Sequence, residues 1–152
     1  MIGYRVWRVG HGKLLSLTSS FAWTPGINTA ECHCTELVYL DESGITCSSI
    51  RSDHPHSPAS GPDAGCGLWM REQSEELFDG DLGGFEVCGQ VEAWGTCIRH
   101  EKGWRCEKMR ILSLIPIPWD RLAPWYRRDY QSVPAYLDIL RGVSVNYDVP
   151  LA

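Results

Sequence analysis

Apolar and polar residues alternate at two places in the chain, and that alternation sets the expected fold. Tyr4-Arg5-Val6-Trp7-Arg8-Val9 interleaves apolar with charged side chains, as a half-buried strand does. Gly10-His11-Gly12 can turn it back into Lys13-Leu14-Leu15-Ser16-Leu17, which predicts an N-terminal hairpin. The longest β pattern covers residues 85–115, with Glu101-Lys102-Gly103 as its turn and Gly103 supplying a positive φ. In its first arm Phe85, Val87, Gly89, Val91, Ala93, Gly95 and Cys97 share one parity and are expected to face the core. The second arm alternates less cleanly, which predicts a bulge or a fully buried end. Gly89 and Gly95 on the inner face predict close approach by a backbone or a ring.

Between the hairpins, Phe21-Ala22-Trp23 is halted by the turn Thr24-Pro25-Gly26. Leu37-Val38-Tyr39-Leu40 predicts one short strand, ended by Asp41-Glu42-Ser43-Gly44. Residues 48–65 are mostly Ser, Pro, Gly, Asp and His, so a long loop is expected, and such loops are where sites concentrate. Residues 68–78 read as a short helix stopped near Asp79-Gly80, and 119–130 as one or two helical turns. Ser132-Val133-Pro134 opens a helix over 134–141, with Tyr136, Leu137, Ile139 and Leu140 as its apolar stripe and Gly142 as its end. The tail 143–152 is placed to add an edge strand. The fold class expected is α+β: a strongly bent antiparallel sheet of two hairpins, with a long Cys/His loop and short C-terminal helices.

Composition narrows the function classes. The chain has 152 residues, 43% hydrophobic and 22% charged, which fits a single domain over 1–152. A formal charge of −5 argues against nucleic acid as partner, because phosphate-backbone affinity rests on clustered Lys and Arg. No apolar run suggests a membrane span, and Met1-Ile2-Gly3-Tyr4-Arg5 lacks the build of a signal peptide, so a cytoplasmic location is expected. Seven cysteines in a reducing compartment argue against disulfides, and Cys88, Cys97 and Cys106 read as buried or strand-lining thiols. Seven Trp and six Tyr are many, so some rings should reach the surface.

Cys32, His33, Cys34, Cys47, His54, His56 and Cys66 gather thiolate and imidazole donors in one loop-rich segment. Cys32, Cys47, His56 and Cys66 form a candidate Cys₃His zinc set that would tether the two ends of the loop. The competing reading makes the cysteines small buried hydrophobes and the histidines solvated loop residues. His100-Glu101 near Arg99 and Arg105 is a candidate acid/base pair, against which stands ordinary solvation at a tight turn. Cys66-Gly67 ahead of a helix suggests a thiol nucleophile with His54 or His56 as base, without an identifiable third partner. Trp119, Trp125, Tyr126, Arg127, Arg128 and Tyr130 combine aromatic rings with arginine, the types enriched at protein–protein contacts. The alternative is that they close the core from the C-terminal side.

Several segments together carry a resemblance: Trp23-Thr24-Pro25-Gly26-Ile27-Asn28-Thr29-Ala30-Glu31-Cys32, His56-Ser57-Pro58, Cys66-Gly67-Leu68-Trp69-Met70, Trp94-Gly95 and His100-Glu101-Lys102-Gly103-Trp104-Arg105. They are similar to a group of small proteins of actinobacteria and their phages that carries no assigned function. The resemblance implies a fold and a Cys/His site rather than an activity. The group's Cys-x-Cys-Gly is here Ala64-Gly65-Cys66-Gly67, so one of its two cysteines is missing. The expected function is a small non-enzymatic binding domain, phage-encoded and contacting a host protein. The alternative is a small enzyme or nucleotide-ligand-binding protein using the cleft between the Cys/His loop and the 85–115 hairpin, with His56, Cys66, His100 and Arg105 lining a ligand pocket.

Overall fold

The computed structural model describes residues 1–17, 22–30, 35–41, 44–50, 68–74, 84–101 and 103–152, of which 35–41 and 44–50 by backbone alone. Its spine is a hairpin of two long strands, β7 (Val87–His100) and β8 (Gly103–Pro116). β1 (Ile2–Gly10) lies on the free edge of β7, and β2 (Lys13–Leu15) lies on β1. The other edge of β8 is shared: β6 (Leu68–Met70) pairs with its first residues and β3 (Ile27–Thr29) with its middle. All these pairings are antiparallel. β4 (Thr35–Asp41) and β5 (Gly44–Ile50) form a separate two-stranded hairpin. Helices α1 (Pro124–Tyr130) and α2 (Val133–Tyr147) follow, so the expected α+β class holds.

Two register shifts bend the spine, one between Gln90 and Val91 and one between Trp94 and Cys97. Each makes one strand a residue longer than its partner, which kinks and twists the pair. The sheet curls until the residue after β6 reaches β1: Tyr4 and Arg71 exchange two backbone hydrogen bonds of 2.8 Å. β1 is therefore more enclosed than its sequence suggests. Val6 and Trp7 point to opposite faces of the strand, yet both are buried.

The core-facing parity of β7 runs from Val87 to Ala93 and stops at the second shift, beyond which Gly95 is exposed. Gly89 is held to glycine as expected, since a Cβ there would overlap the Ser113 carbonyl and sit 3.0 Å from Trp7 Cζ3. The need at Gly95 is instead its φ of +81°, a region L side chains rarely adopt.

Several expectations are corrected. Residues 68–78 do not open as a helix: Leu68 and Met70 are buried while Trp69 is half-exposed, a strand's alternation, and they pair with Cys106 and Trp104. Sheet pairing here overrides the helical preference of the following Arg71-Glu72-Gln73. α2 does not stop at Gly142 but continues to Tyr147, because Tyr136, Leu140, Val143 and Tyr147 form the buried stripe. Ile139, expected on that stripe, is exposed. Finally, Cys97 and Cys106 are not strand-lining thiols. They stand directly opposite across the hairpin, Cα atoms 4.1 Å apart, and form a disulfide, whereas Cys88 is a free buried thiol as expected.

α2 is stitched to the sheet at both ends by tyrosine hydroxyls. Tyr136 Oη donates to the Glu86 carbonyl (2.6 Å) and accepts from Ile117 N–H (2.9 Å). Tyr147 Oη donates to the Trp23 carbonyl (2.6 Å) and accepts from Leu14 N–H (2.9 Å). The expected N-cap is in place, with Ala135 N–H donating to Ser132 Oγ. The tail contributes a single parallel bridge, Leu114 to Leu151, rather than an edge strand. No helix among the described residues is long and apolar enough to cross a membrane.

Candidate functional site

Two places collect the residues singled out by the sequence. The first is α1. Pro124 starts it, Gln131 in a positive-φ conformation ends it, and none of its residues is buried. Two tyrosines hold it down. Tyr126 Oη donates to the Gly84 carbonyl (3.0 Å), and Tyr130 Oη donates to Glu86 Oε1 (2.5 Å). Glu86 is itself only 6% exposed, and its Oε2 accepts from Val9 N–H at 2.7 Å.

Burial holds the Glu86 carboxyl above its usual range, opposed by the Tyr130 and Val9 hydrogen bonds and by the Arg8 charge. Burial and the hydrogen bond to Glu86 likewise push the Tyr130 hydroxyl up. The ring of Tyr130 lies 5.1 Å from that of Tyr136, and Trp119 lies 6.1 Å from the same ring. Trp119, Tyr126 and Tyr130 thus lean inward, as the core reading expected. Trp125 is 46% exposed with its ring 5.9 Å from Tyr126, and Arg128 is also exposed. Arg127 is half-buried and its Nε has no hydrogen-bond partner. The sequence pattern did not single out Glu86. Its one signal was a carboxylate set between Phe85 and Val87 at the start of a strand.

The second place is the end of the spine. His100 and Arg105 come together there around Trp69, which the sequence pattern had put on a helix. The Arg105 guanidinium lies over the Trp69 ring at 4.4 Å, and the His100 ring is 5.0 Å from it. Arg5 Nη1 donates to the Trp69 carbonyl from the other side of the sheet. Arg5 also lies over the Trp23 ring at 4.7 Å, and burial pulls its pKa down to about 10. Glu101 is exposed at the turn, and His100 Nε2 has no hydrogen-bond partner.

Cys32, His56 and Cys66 lie outside the described residues. Cys47 is placed by backbone alone, in β5 opposite Leu37. Among the described residues no group of three or more His, Cys, Asp or Glu side chains could hold a metal ion. Comparisons with protein-family profiles, curated proteins and solved structures return no match.

Proposed function

We propose that the protein is a small binding domain that contacts another protein through the α1 face centred on Trp125. One observation supports this above the others: a tryptophan is 46% exposed on a helix whose neighbouring tyrosines are tied to Gly84 and Glu86, just ahead of β7. An aromatic side chain on a fixed backbone loses little conformational freedom on binding, which is why tryptophan and arginine dominate contact energies. Arg128 beside it favours an acidic patch on the partner. The resemblance to actinobacterial and phage proteins makes a host protein the natural candidate.

The test is affinity capture from an actinobacterial lysate with the wild type, Trp125→Ala and Arg128→Glu in parallel. A partner retained by the wild type and lost by both variants supports the reading. Recovery of nothing under gentle conditions, or equal recovery by all three, overturns it.

A further inference from the structure

Trp69, Arg105 and Ile98 stand in one row across β6, β8 and β7, since Arg105 pairs with both of the others. In the next row of the same face His100 is paired with Gly103. Glycine is required there: its φ is +141° and a Cβ would overlap the Met70 carbonyl. It leaves no side chain between His100 and Trp69, so imidazole, indole and the Arg105 guanidinium gather on one patch.

The donors of that patch are unmet. Arg105 Nε and Nη1 and His100 Nε2 are withdrawn from water and have no hydrogen-bond partner. A guanidinium has five N–H donors and no acceptor, and an indole face attracts a cation without accepting a strong hydrogen bond. No carboxylate reaches Arg105 among the described residues. Glu72, at the end of β6, is engaged on the opposite face by Trp104 Nε1 (2.7 Å) and Arg99 (3.4 Å). Unmet buried donors cost more than a made hydrogen bond returns. Trp69, His100 and Arg105 are each half-exposed as whole residues, so the patch lies at the surface although these particular donor atoms are covered.

From this geometry we infer an oxyanion-binding site in which Arg105 and His100, arranged around Trp69, take the phosphate group of a small molecule. A tetrahedral oxyanion carries enough acceptors for all the unmet donors, and charge-assisted hydrogen bonds to a guanidinium are the strong kind. His100 donates from Nε2 in its protonated form or its Nε2–H tautomer. Arg5 is a positioning residue: its hydrogen bond to the Trp69 carbonyl fixes the strand that carries the ring. The site is separate from α1 and does not depend on the protein-binding reading.

The experiment is an NMR titration of the full chain with inorganic phosphate, with glycerol phosphate, and with sodium chloride at matched ionic strength. The Trp69 indole and Arg105 Nε–H resonances are the reporters. Saturable shifts with phosphate and none with chloride are expected. Tighter binding of the ester identifies a small phosphorylated molecule as the ligand, and equal binding identifies the free anion; both support the site. Arg105→Gln should weaken binding by about tenfold or more, and Arg110→Gln should leave it unchanged, because Arg110 pairs with Glu92 elsewhere on the spine. If Arg105→Gln does not fold, His100→Ala takes its place with the same expectation. Shifts equal to those with chloride, or undiminished binding in the folded Arg105 or His100 variant, overturn the proposal.

Discussion

Replacing Tyr130 by Phe removes one hydroxyl and leaves the ring that packs 5.1 Å from Tyr136. What is lost is a 2.5 Å hydrogen bond to a carboxylate that is 6% exposed. Hydrogen bonds to charged groups contribute about 1.5–3 kcal/mol, and Glu86 keeps its bond from Val9 N–H, so a loss of about 2 kcal/mol is expected. For a domain of this size that lowers Tm by roughly 4–8 °C. The loss should depend on pH, with a definite sign. Burial raises the Glu86 carboxyl, so the native state binds more protons than the unfolded state above the ordinary carboxylate range. The stability Glu86 contributes is therefore complete below its unfolded pKa and falls as pH rises through its folded one. The Tyr130 hydrogen bond favours the ionised form, so its removal raises that folded pKa further. The penalty of Tyr130→Phe must then grow with pH, from about 1 kcal/mol where the carboxyl is protonated to the full value where it is ionised. Urea denaturation of both proteins at roughly pH 4 and roughly pH 8 measures it. A penalty that is the same at both values, or below about 0.5 kcal/mol throughout, would refute the assignment of Glu86 as the buried anchor of α1.

Glycine-to-alanine changes inside a strand ordinarily stabilise by about 0.5–1 kcal/mol. Gly89→Ala should instead destabilise by about 1–3 kcal/mol, because the new methyl meets the Ser113 carbonyl and the Trp7 ring; a thermal melt at or above the wild-type Tm would contradict this. Tyr147→Phe removes the hydroxyl that accepts from Leu14 N–H and donates to the Trp23 carbonyl and should cost about 2 kcal/mol in the same assay. Peptide mapping without reductant should recover Cys97 joined to Cys106, while Cys88, whose thiol burial pushes up to about 11, alkylates only after denaturation; recovery of Cys97 and Cys106 as free thiols from air-oxidised protein would count against the pairing.

The long hairpin was legible in the sequence because its parity and its Gly103 turn are local signals, as were the start of α2 at Ser132 and the close approach at Gly89. What escaped depends on residues far away in the chain. β6 carries a helix-compatible sequence, and only the exposed edge of β8 makes it a strand. The disulfide follows from the second register shift, which puts Cys97 opposite Cys106, and alternation alone does not reveal such a shift. His100 and Arg105 were visible as charged residues near a turn, but Trp69, which joins them, comes from a strand more than thirty residues earlier. On α1 the exposed Trp125 and Arg128 could be named, yet their anchor Glu86 lies more than thirty residues before them.

The shared edge of β8 also orders the birth of the protein on the ribosome. β1 finds its main partner only in β7, with Ile2 set against Glu92, and β3 and β6 both wait for β8. β3 and β6 therefore leave the exit tunnel with no sheet to join, β1 has only the short β2 beside it, and the spine that takes them up is made last but for the helices. The sheet is complete only once β8 is made, so a stall in translation before residue 116 would leave Trp7 and Trp23 without some of the strands that enclose them.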